Sequence, residues 1–257
     1  MRIDIPTGDA AFGVRADNPS LLTLEGTNTW IVGTGDVWVV DPGPELVEHV
    51  DAVAVAVGEQ GTLAGIALTH GHADHSAAVP LLLEALGPVP VIAGHSGHGP
   101  GEEAGPLEVL ALPGHSSDHL AFAFGDVVFT GDAIFANSSV FISPGPGSLA
   151  GYLAALNNLA DRGPAVLAPG HGPLIKDPKG RIGEQVAHRL ERERRLVDAI
   201  AAGNNSVASL LAEVWDDVPE MLLPAATVTL AAHLDKLDDE ERLPDGVERP
   251  DIPEWVV

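Results

Sequence analysis

Four potential metal ligands lie within six consecutive residues of this chain, in the stretch His70-Gly71-His72-Ala73-Asp74-His75. Neutral imidazole and ionised carboxylate are ligand types that suit Zn²⁺ and neighbouring divalent metals. The stretch follows the run Gly65-Ile66-Ala67-Leu68, whose apolar character is typical of a buried strand. The sequence therefore predicts a metal site at the end of a strand.

Three further candidate ligands each follow a strand-like run and lie in a Gly-rich turn. They are His115 in Pro113-Gly114-His115-Ser116, Asp132 in Thr130-Gly131-Asp132, and His171 in Pro169-Gly170-His171-Gly172. Seven ligands are too many for one tetrahedral ion and suit two ions that share a carboxylate. Any one of these histidines alone would be read as a solvated turn residue or a hydrogen-bonded core residue, but the full set predicts a dinuclear centre.

These blocks, in this order and approximate spacing, resemble the metallo-β-lactamase superfamily of binuclear metallohydrolases. The segments Gly26-Thr27-Asn28-Thr29-Trp30 and Asp41-Pro42-Gly43 resemble the same family. The resemblance implies that one metal is held by His70, His72 and His115. It implies that the second is held by Asp74, His75 and His171, and that Asp132 bridges the two ions.

The resemblance also implies a chemistry. A water molecule shared by two cations loses its proton near neutral pH, which supplies a bridging hydroxide nucleophile in a chain that has no cysteine. We expect Asp74 and Asp132 to be the catalytic carboxylates, with Asp74 orienting that nucleophile in addition to binding metal. Two Zn²⁺ per chain are expected, with iron or manganese as alternatives, because the same ligands accept all three.

The elements that must position these ligands follow an α/β pattern up to His171. Short β-rich runs include Trp30–Val32, Val37–Val40, Val89–Ala93 and Val127–Phe129, and helical stretches are expected at Leu46–Val57, Ala77–Leu86 and Leu149–Leu159. The resemblance implies a four-layer αββα sandwich in which the metals lie at the edge where strand ends converge.

The sequence changes character after Pro173, and we predict a catalytic domain over residues 1–178 and a small, mostly helical domain over residues 179–257. Ile182–Ala202 is expected to form one helix, Ser206 to cap a second that extends to Trp215, and Leu222–Leu237 to form a third. This part resembles the winged-helix extension of the branch named after lactamase-beta-like protein two. Members of that branch include single-stranded-RNA endonucleases and acyl-carrier-protein thioesterases. The extension either shapes the substrate cleft or is purely structural.

The net charge of −24 argues against broad, non-specific binding to nucleic acid. Seven of the 13 basic residues nevertheless lie between positions 176 and 195, as a solvated helix face or as a patch for an anionic ligand. No apolar run approaches the roughly 18 residues of a membrane span, and the start Met1-Arg2-Ile3-Asp4-Ile5-Pro6 lacks the features of a secretory signal. No membrane association and a cytoplasmic location are therefore expected.

Several other residues have open roles. The segment Ser138–Ser148 is either a substrate-facing loop or a surface connection, and His119 is a candidate hydrogen-bond partner near the His115 loop. His95 and His98 lie in a Gly-rich segment and are not expected to be ligands. His188 is expected to be an ordinary surface or partly buried residue, unless its helix packs against the cleft and the side chain faces it.

Three functions remain. The first is a metal-dependent hydrolase of a small or carrier-bound ester or thioester, and the second is a single-strand-specific endoribonuclease that uses the basic segment at 176–195. The third is a non-catalytic metal-binding or interaction protein. A true zinc β-lactamase is disfavoured because those enzymes lack the bridging aspartate that Asp132 supplies. The sequence does not predict the oligomeric state.

Overall fold

Two β-sheets form the centre of the protein. The computed structural model describes residues 1–6 and 11–253. The first sheet has the order β1 (Arg2–Asp4), β2 (Ala11–Arg15), β3 (Asn28–Val32), β4 (Gly35–Val40), β5 (Gly61–Leu68) and β6 (Val91–Ala93). Strands β1 to β4 pair in antiparallel fashion, whereas β4, β5 and β6 are parallel. Parallel pairing places the ends of β4 and β5 side by side.

The second sheet supplies the remaining strand ends. Its strands are β7 (Glu103–Ala104), β8 (Leu107–Ala111), β9 (Leu120–Phe124), β10 (Val127–Gly131) and β11 (Val166–Pro169), in the spatial order β11-β10-β9-β8-β7. Only β10 and β11 are parallel to each other among these described strands, so their carboxyl ends meet at one edge.

The helices lie outside the sheets and in the C-terminal part. They are α1 (Val47–Gln60), α2 (Ala73–Ser76), α3 (Val79–Leu86), α4 (Ser148–Arg162), α5 (Pro178–Ala201), α6 (Val207–Val214) and α7 (Leu223–Asp239). Two 3₁₀ turns occupy Gly94–Ser96 and Glu220–Leu222. None of the described helices combines the length and the apolar character needed to cross a membrane.

The strands are apolar on both faces because both faces are covered. In β4, Trp38 and Val40 pack between the two sheets, whereas Val37 and Val39 pack under α1 and α3. The same alternation in β10 places Phe129 between the sheets and Val128 against the helices of the other side. The order helix, sheet, sheet, helix confirms the predicted four-layer αββα sandwich.

Helices α5, α6 and α7 form a separate apolar cluster around Leu196, Leu210 and Leu234. Ser206 caps α6 as predicted, with its side chain accepting from the backbone N–H of Ser209. Helix α5 belongs to both the sandwich and the C-terminal cluster, since Ile182 packs in the outer helix layer of the sandwich and Leu196 packs in the C-terminal cluster. The domain boundary after residue 178 therefore stays a prediction. Among the described residues, no strand follows β11.

Candidate metal centre

The seven predicted ligands lie together at one edge of the sandwich. His70 follows β5 after one residue, and helix α2 then begins at Ala73, so that His72, Asp74 and His75 lie on one tight turn. Asp132 directly follows β10, and His171 lies two residues beyond β11. The connection between β8 and β9 contributes His115.

Three imidazoles form a first group. Nε2 of His70 lies 2.9 Å from Nδ1 of His72, and Nε2 of His115 lies 3.0 Å from the same atom. Burial lowers the pKa of His70 well below its usual value and that of His115 to about 4. These two rings are therefore neutral at pH 7, which leaves nitrogen lone pairs pointed at a common position.

A second group combines Asp74, His75 and His171. Oδ2 of Asp74 is 3.1 Å from Nε2 of His171, and the Nε2 atoms of His75 and His171 are 3.3 Å apart. Burial alone would lower the pKa of His171, but Asp132 and Asp74 raise it to about 9. The carboxylates thus attract positive charge to this position, which a metal cation would supply in place of protons.

Asp132 contacts both groups. Its Oδ1 lies 3.2 Å from Nε2 of His75, and its Oδ2 lies 3.3 Å from Nε2 of His171 and 3.7 Å from Nε2 of His115. Oδ1 is buried and accepts no hydrogen bond within the described chain, so this oxygen remains available to a cation. Burial opposes ionisation of Asp132, but His171 and His75 hold its pKa well below the usual value.

The donor set fits a metal ion. Among the described residues, three overlapping groups bring their ligand atoms within 4.8 Å of one another. The groups are His70, His72 and His115; His70, His75 and Asp132; and Asp74, His75 and His171. Nitrogen and oxygen donors without sulfur accept zinc, iron and manganese, so the donor set does not select one of them.

Asp41 lies in a segment that carries the family resemblance, but sequence reasoning did not predict its contact with a candidate ligand. Its Oδ1 accepts from the backbone N–H of Thr69 at 2.8 Å, and its Oδ2 accepts from the Thr69 hydroxyl at 2.7 Å. Oδ2 also lies 2.9 Å from Nδ1 of His75, which fixes that ring with Nε2 towards the metal position. Asp41 adopts a left-handed backbone conformation, with φ of 52°. Its position in Asp41-Pro42-Gly43 could have indicated this contact, since a carboxylate directly after a buried strand needs a hydrogen-bond or charge partner.

Asn28 and Arg15 hold the loop that carries His171. The Asn28 amide donates to the carbonyls of Pro169 and Gly172 at 3.0 and 2.9 Å. Arg15 donates to the Asn28 side chain and to the same Gly172 carbonyl, both at 2.9 Å. The segment Gly26-Thr27-Asn28-Thr29-Trp30 therefore has a local structural purpose, which is to fix the end of β11.

Gly170 allows two ligands to approach the backbone closely. A Cβ atom at this position would lie 2.5 Å from Oδ1 of Asp132 and 2.5 Å from Cε1 of His75. Any larger residue at position 170 would displace one of these ligands.

The other histidines lie around or away from the centre. The His119 ring stacks on His70 with centroids 4.9 Å apart, and its Nε2 accepts from the backbone N–H of Asp132 at 3.2 Å. His119 thus supports two of the ligands without belonging to any of the three groups. His95 lies near Asp118, and His98 contacts the backbone of Ala93, outside the ligand groups.

The segment Ser138–Ser148 contacts the metal centre directly. The Phe141 ring packs against His115 with centroids 4.4 Å apart, and the Ser143 hydroxyl donates to the His115 carbonyl at 2.6 Å. A cavity of about 660 Å³ is lined by His115 and Asp132 at one side and by Val140 and Phe141 from this segment. The segment therefore faces the cavity that opens on the site.

Most arginines of the basic segment at 176–195 are neutralised. Arg192 forms a bidentate pair with Asp217 at 2.6 and 2.7 Å, and Arg195 pairs with Asp216 at 2.7 Å. Arg194 pairs with both Glu191 and Asp198. Little free positive charge remains for a polyanion on this helix.

The sequence matches two known families. A family model described as the metallo-beta-lactamase superfamily matches residues 22–105 and 86–171, and one described as the beta-lactamase associated winged helix domain matches residues 206–245. Between them they cover the sandwich from β3 to β11 and helices α6 and α7 of the C-terminal part.

Individual proteins are similar as well. The atrochrysone carboxyl ACP thioesterase dmxR1 of Cryptosporiopsis sp. (strain 8999) is 32% identical over 204 residues, which are 73% of this chain and 62% of that protein. The beta-lactamase-like protein 2 homolog of Drosophila melanogaster is 28% identical over 260 residues, covering 88% of this chain and 87% of that protein. The solved structure of TTHA1623 in a di-iron-bound form is 29% identical, with a TM-score of 0.54 over 68% of this chain and 98% of that one.

The family match spans more than half of the sequence, and it agrees with the αββα layers and with the ligand groups at the strand ends. The protein therefore belongs to the metallo-beta-lactamase superfamily and carries a beta-lactamase-associated winged helix domain.

Proposed function

We propose that this protein is a dinuclear-metal hydrolase that cleaves a small or carrier-bound thioester or ester. The observation that carries the proposal is the position of Asp132, whose two oxygens lie within 3.2 to 3.7 Å of ligands from both histidine groups. A carboxylate shared in this way suits two neighbouring cations better than one. The relative described as an ACP thioesterase supports a carrier-bound thioester as the substrate class.

Bound divalent ions would supply Lewis acidity and a water-derived nucleophile at neutral pH. The chain itself holds the ligands rigidly through Asp41, His119 and Asn28, which limits reorganisation during the reaction. Asp74 is the more open carboxylate, with 29% of its side chain exposed against 9% for Asp132. This greater exposure supports a role for Asp74 in accepting a hydrogen bond from the attacking water and orienting it.

In the overall reaction, water adds its oxygen to the acyl carbon and the bond to sulfur or oxygen breaks. The products are a carboxylic acid and a thiol or alcohol that takes the second proton. The cavity beside the site has apolar walls that include Phe135, Phe141 and Trp215. Such walls fit an acyl group and exclude water from it.

The proposal is tested with the metal-loaded protein and a panel of thioesters, esters and lactones. We expect turnover that is lost on chelation, is restored by zinc, iron or manganese, and falls at least about a hundredfold in Asp132→Ala. Asp118→Ala is the matched control, because Asp118 lies next to Gly71, between the proposed ligands His70 and His72, but belongs to none of the ligand groups. Absence of metal-dependent turnover on every substrate would refute the proposal.

The endoribonuclease alternative is weaker because the arginines at 192, 194 and 195 are paired with carboxylates. Incubation with labelled single-stranded RNA decides it. Cleavage by the wild type that disappears in Asp132→Ala would establish this activity. The cytoplasmic location and the choice of zinc stay predictions.

A further inference from the structure

Arg189 on helix α5 is a buried cation without a carboxylate partner in the described part of the chain. Each of the other nine arginines lies within ion-pair distance of an aspartate or glutamate. Arg189 is only 2% exposed, donates from Nη2 to the Val140 carbonyl, and has an Nε that meets no acceptor. A buried charge without a counter-charge is strongly unfavourable unless something else compensates for it.

His188, the preceding residue, presents a second unused donor. Its Nε2 accepts from Nε of Arg192 at 3.3 Å, which places the ring proton on Nδ1. Nδ1 is buried and has no partner among the described residues. Burial lowers the pKa of His188 to about 4, with Arg189 and Arg192 adding to the effect, so the ring is neutral at pH 7.

Both side chains line the 660 Å³ cavity that also touches His115 and Asp132. The connection between Arg189 and the metal centre is short, because Arg189 holds the carbonyl of Val140 and the next residue, Phe141, packs on His115. Two residues that each carry a buried donor without an acceptor therefore line the cavity that also reaches the metal centre, together with apolar side chains.

We infer that Arg189 and His188 form a binding site for a carboxylate at the far end of the substrate's acyl group. This inference rests on the proposed function, and it narrows the substrate to an ester or thioester of a dicarboxylic or similarly anionic acid. Arg189 supplies the counter-charge and the Nε–H donor, and His188 supplies the Nδ1–H donor. The chemistry suits any oxyanion, so a phosphate on the thiol carrier is the competing source.

Binding is measured by calorimetry on the metal-loaded full chain with two thioether analogues that cannot be hydrolysed. One has an acyl chain that ends in a carboxylate, and the other has an acyl chain of the same length that ends in a carboxamide. We expect the wild type to bind the carboxylate analogue about 10- to 100-fold more tightly. Arg189→Met should abolish this preference while changing the affinity for the carboxamide less than about twofold.

Arg181→Met is the matched control. Arg181 lies on the same helix and also donates to backbone carbonyls, those of Phe135 and Ser138, but it does not line the cavity and it pairs with Glu184. This variant should keep the wild-type preference. A preference that survives in Arg189→Met would assign the carboxylate to the metal centre, and an equal loss for both analogues would assign Arg189 a purely structural role. Either result overturns the inference.

Two further arms complete the test. If Arg189→Met does not fold, as judged by circular dichroism, His188→Phe replaces it, and an unchanged carboxylate preference in that variant overturns the inference. A coenzyme A thioether with an uncharged acyl chain probes the competing source, and a loss of affinity in Arg189→Met confined to this compound would assign the site to phosphate instead. Because binding needs no turnover, failure of the inference is separable from failure of the proposed hydrolysis.

Discussion

Asp41→Asn is the most informative single substitution, because Asp41 touches a predicted ligand without being one. The side chain is 1% exposed and accepts three hydrogen bonds, two from Thr69 and one from His75. Asparagine has nearly the same shape and can keep the bond from the Thr69 N–H to Oδ1. Its amide group must then replace Oδ2, which faces the Thr69 hydroxyl and Nδ1 of His75.

An amide donor at this position cannot accept the proton of His75. The ring is driven to carry its proton on Nε2, the atom that lies 3.2 Å from Oδ1 of Asp132 and 3.5 Å from Oδ2 of Asp74. A protonated Nε2 has no lone pair for a metal ion. Loss of a residue that orients a metal-bound histidine typically lowers metal affinity or activity 10- to 100-fold. Loss of the buried charge should lower the free energy of unfolding by about 3 kcal/mol.

Metal affinity of Asp41→Asn is measured by competition with a chromophoric chelator, and stability by thermal unfolding of the metal-loaded protein. Asp118→Asn is the control, because Asp118 accepts from Ser116 but contacts none of the proposed ligands by hydrogen bond. We expect the control to bind metal like the wild type. Wild-type metal affinity and wild-type hydrolysis in Asp41→Asn would refute the argument that Asp41 fixes the proton of His75.

Three further predictions concern the glycine beside the site, a buried histidine and the metal itself. Gly170→Ala should reduce metal content and activity, because its Cβ would lie 2.5 Å from both Asp132 and His75. Normal metal content in this variant would contradict the packing argument. Gly183→Ala is the control: position 183 has open space on helix α5, so this variant should instead stabilise the protein by about 0.5–1 kcal/mol. Neither ring nitrogen of His233 has a hydrogen-bond partner in the described chain, and burial, with Arg189 nearby, lowers its pKa to about 3. His233 therefore binds a proton more readily in the unfolded chain than in the folded one. Its effect is that the stability of the folded state is fully present above about pH 6.5 and decreases as the pH falls towards 3. His233→Leu should flatten that part of the pH profile and raise stability at pH 7 by about 1 kcal/mol, as denaturant titrations at several pH values would reveal. Removal of metal by a chelator should lower the melting temperature by about 8–16 °C, since a ligand at a thousandfold excess over its dissociation constant stabilises the native state by about 4 kcal/mol. An unchanged melting temperature after verified metal loss would argue against a structural contribution of the metal.

Much of the fold could be predicted from local patterns. The expected helix at Ile182–Ala202 corresponds to α5 at Pro178–Ala201, and the expected cap at Ser206 is present. These features depend on residues close in sequence, where helical periodicity and capping side chains act over one or two turns. The limits of the elements moved by a few residues because packing with distant segments decides where a helix or strand ends.

The partners of charged side chains could not be predicted. The sequence left open whether the basic segment at 176–195 is a solvated face or an anion patch, and in the structure its arginines have different environments. Arg194 and Arg195 are paired at the surface, whereas Arg189 is buried beside Val140. The carboxylate that pairs with each arginine depends on the packing of helices α5 and α6 and of the loop at Ser138–Ser148. These contacts join segments that are distant in sequence, so local patterns do not predict them.

The sequence by itself determined the seven candidate ligands, from His70 to His171, because metal ligation restricts residue type and because Gly-rich turns after apolar runs mark the strand ends. The resemblance implied a shared Asp132, and the tertiary structure shows its two oxygens beside ligands of both groups. Only the tertiary structure decided that Asp41 holds His75. Asp41 reaches His75 because β4 and β5 are parallel neighbours, with the Asp41 N–H donating to the Ala67 carbonyl at 2.9 Å. Strand pairing of this kind is set by burial of both sheet faces across the whole domain, which no short stretch of sequence specifies.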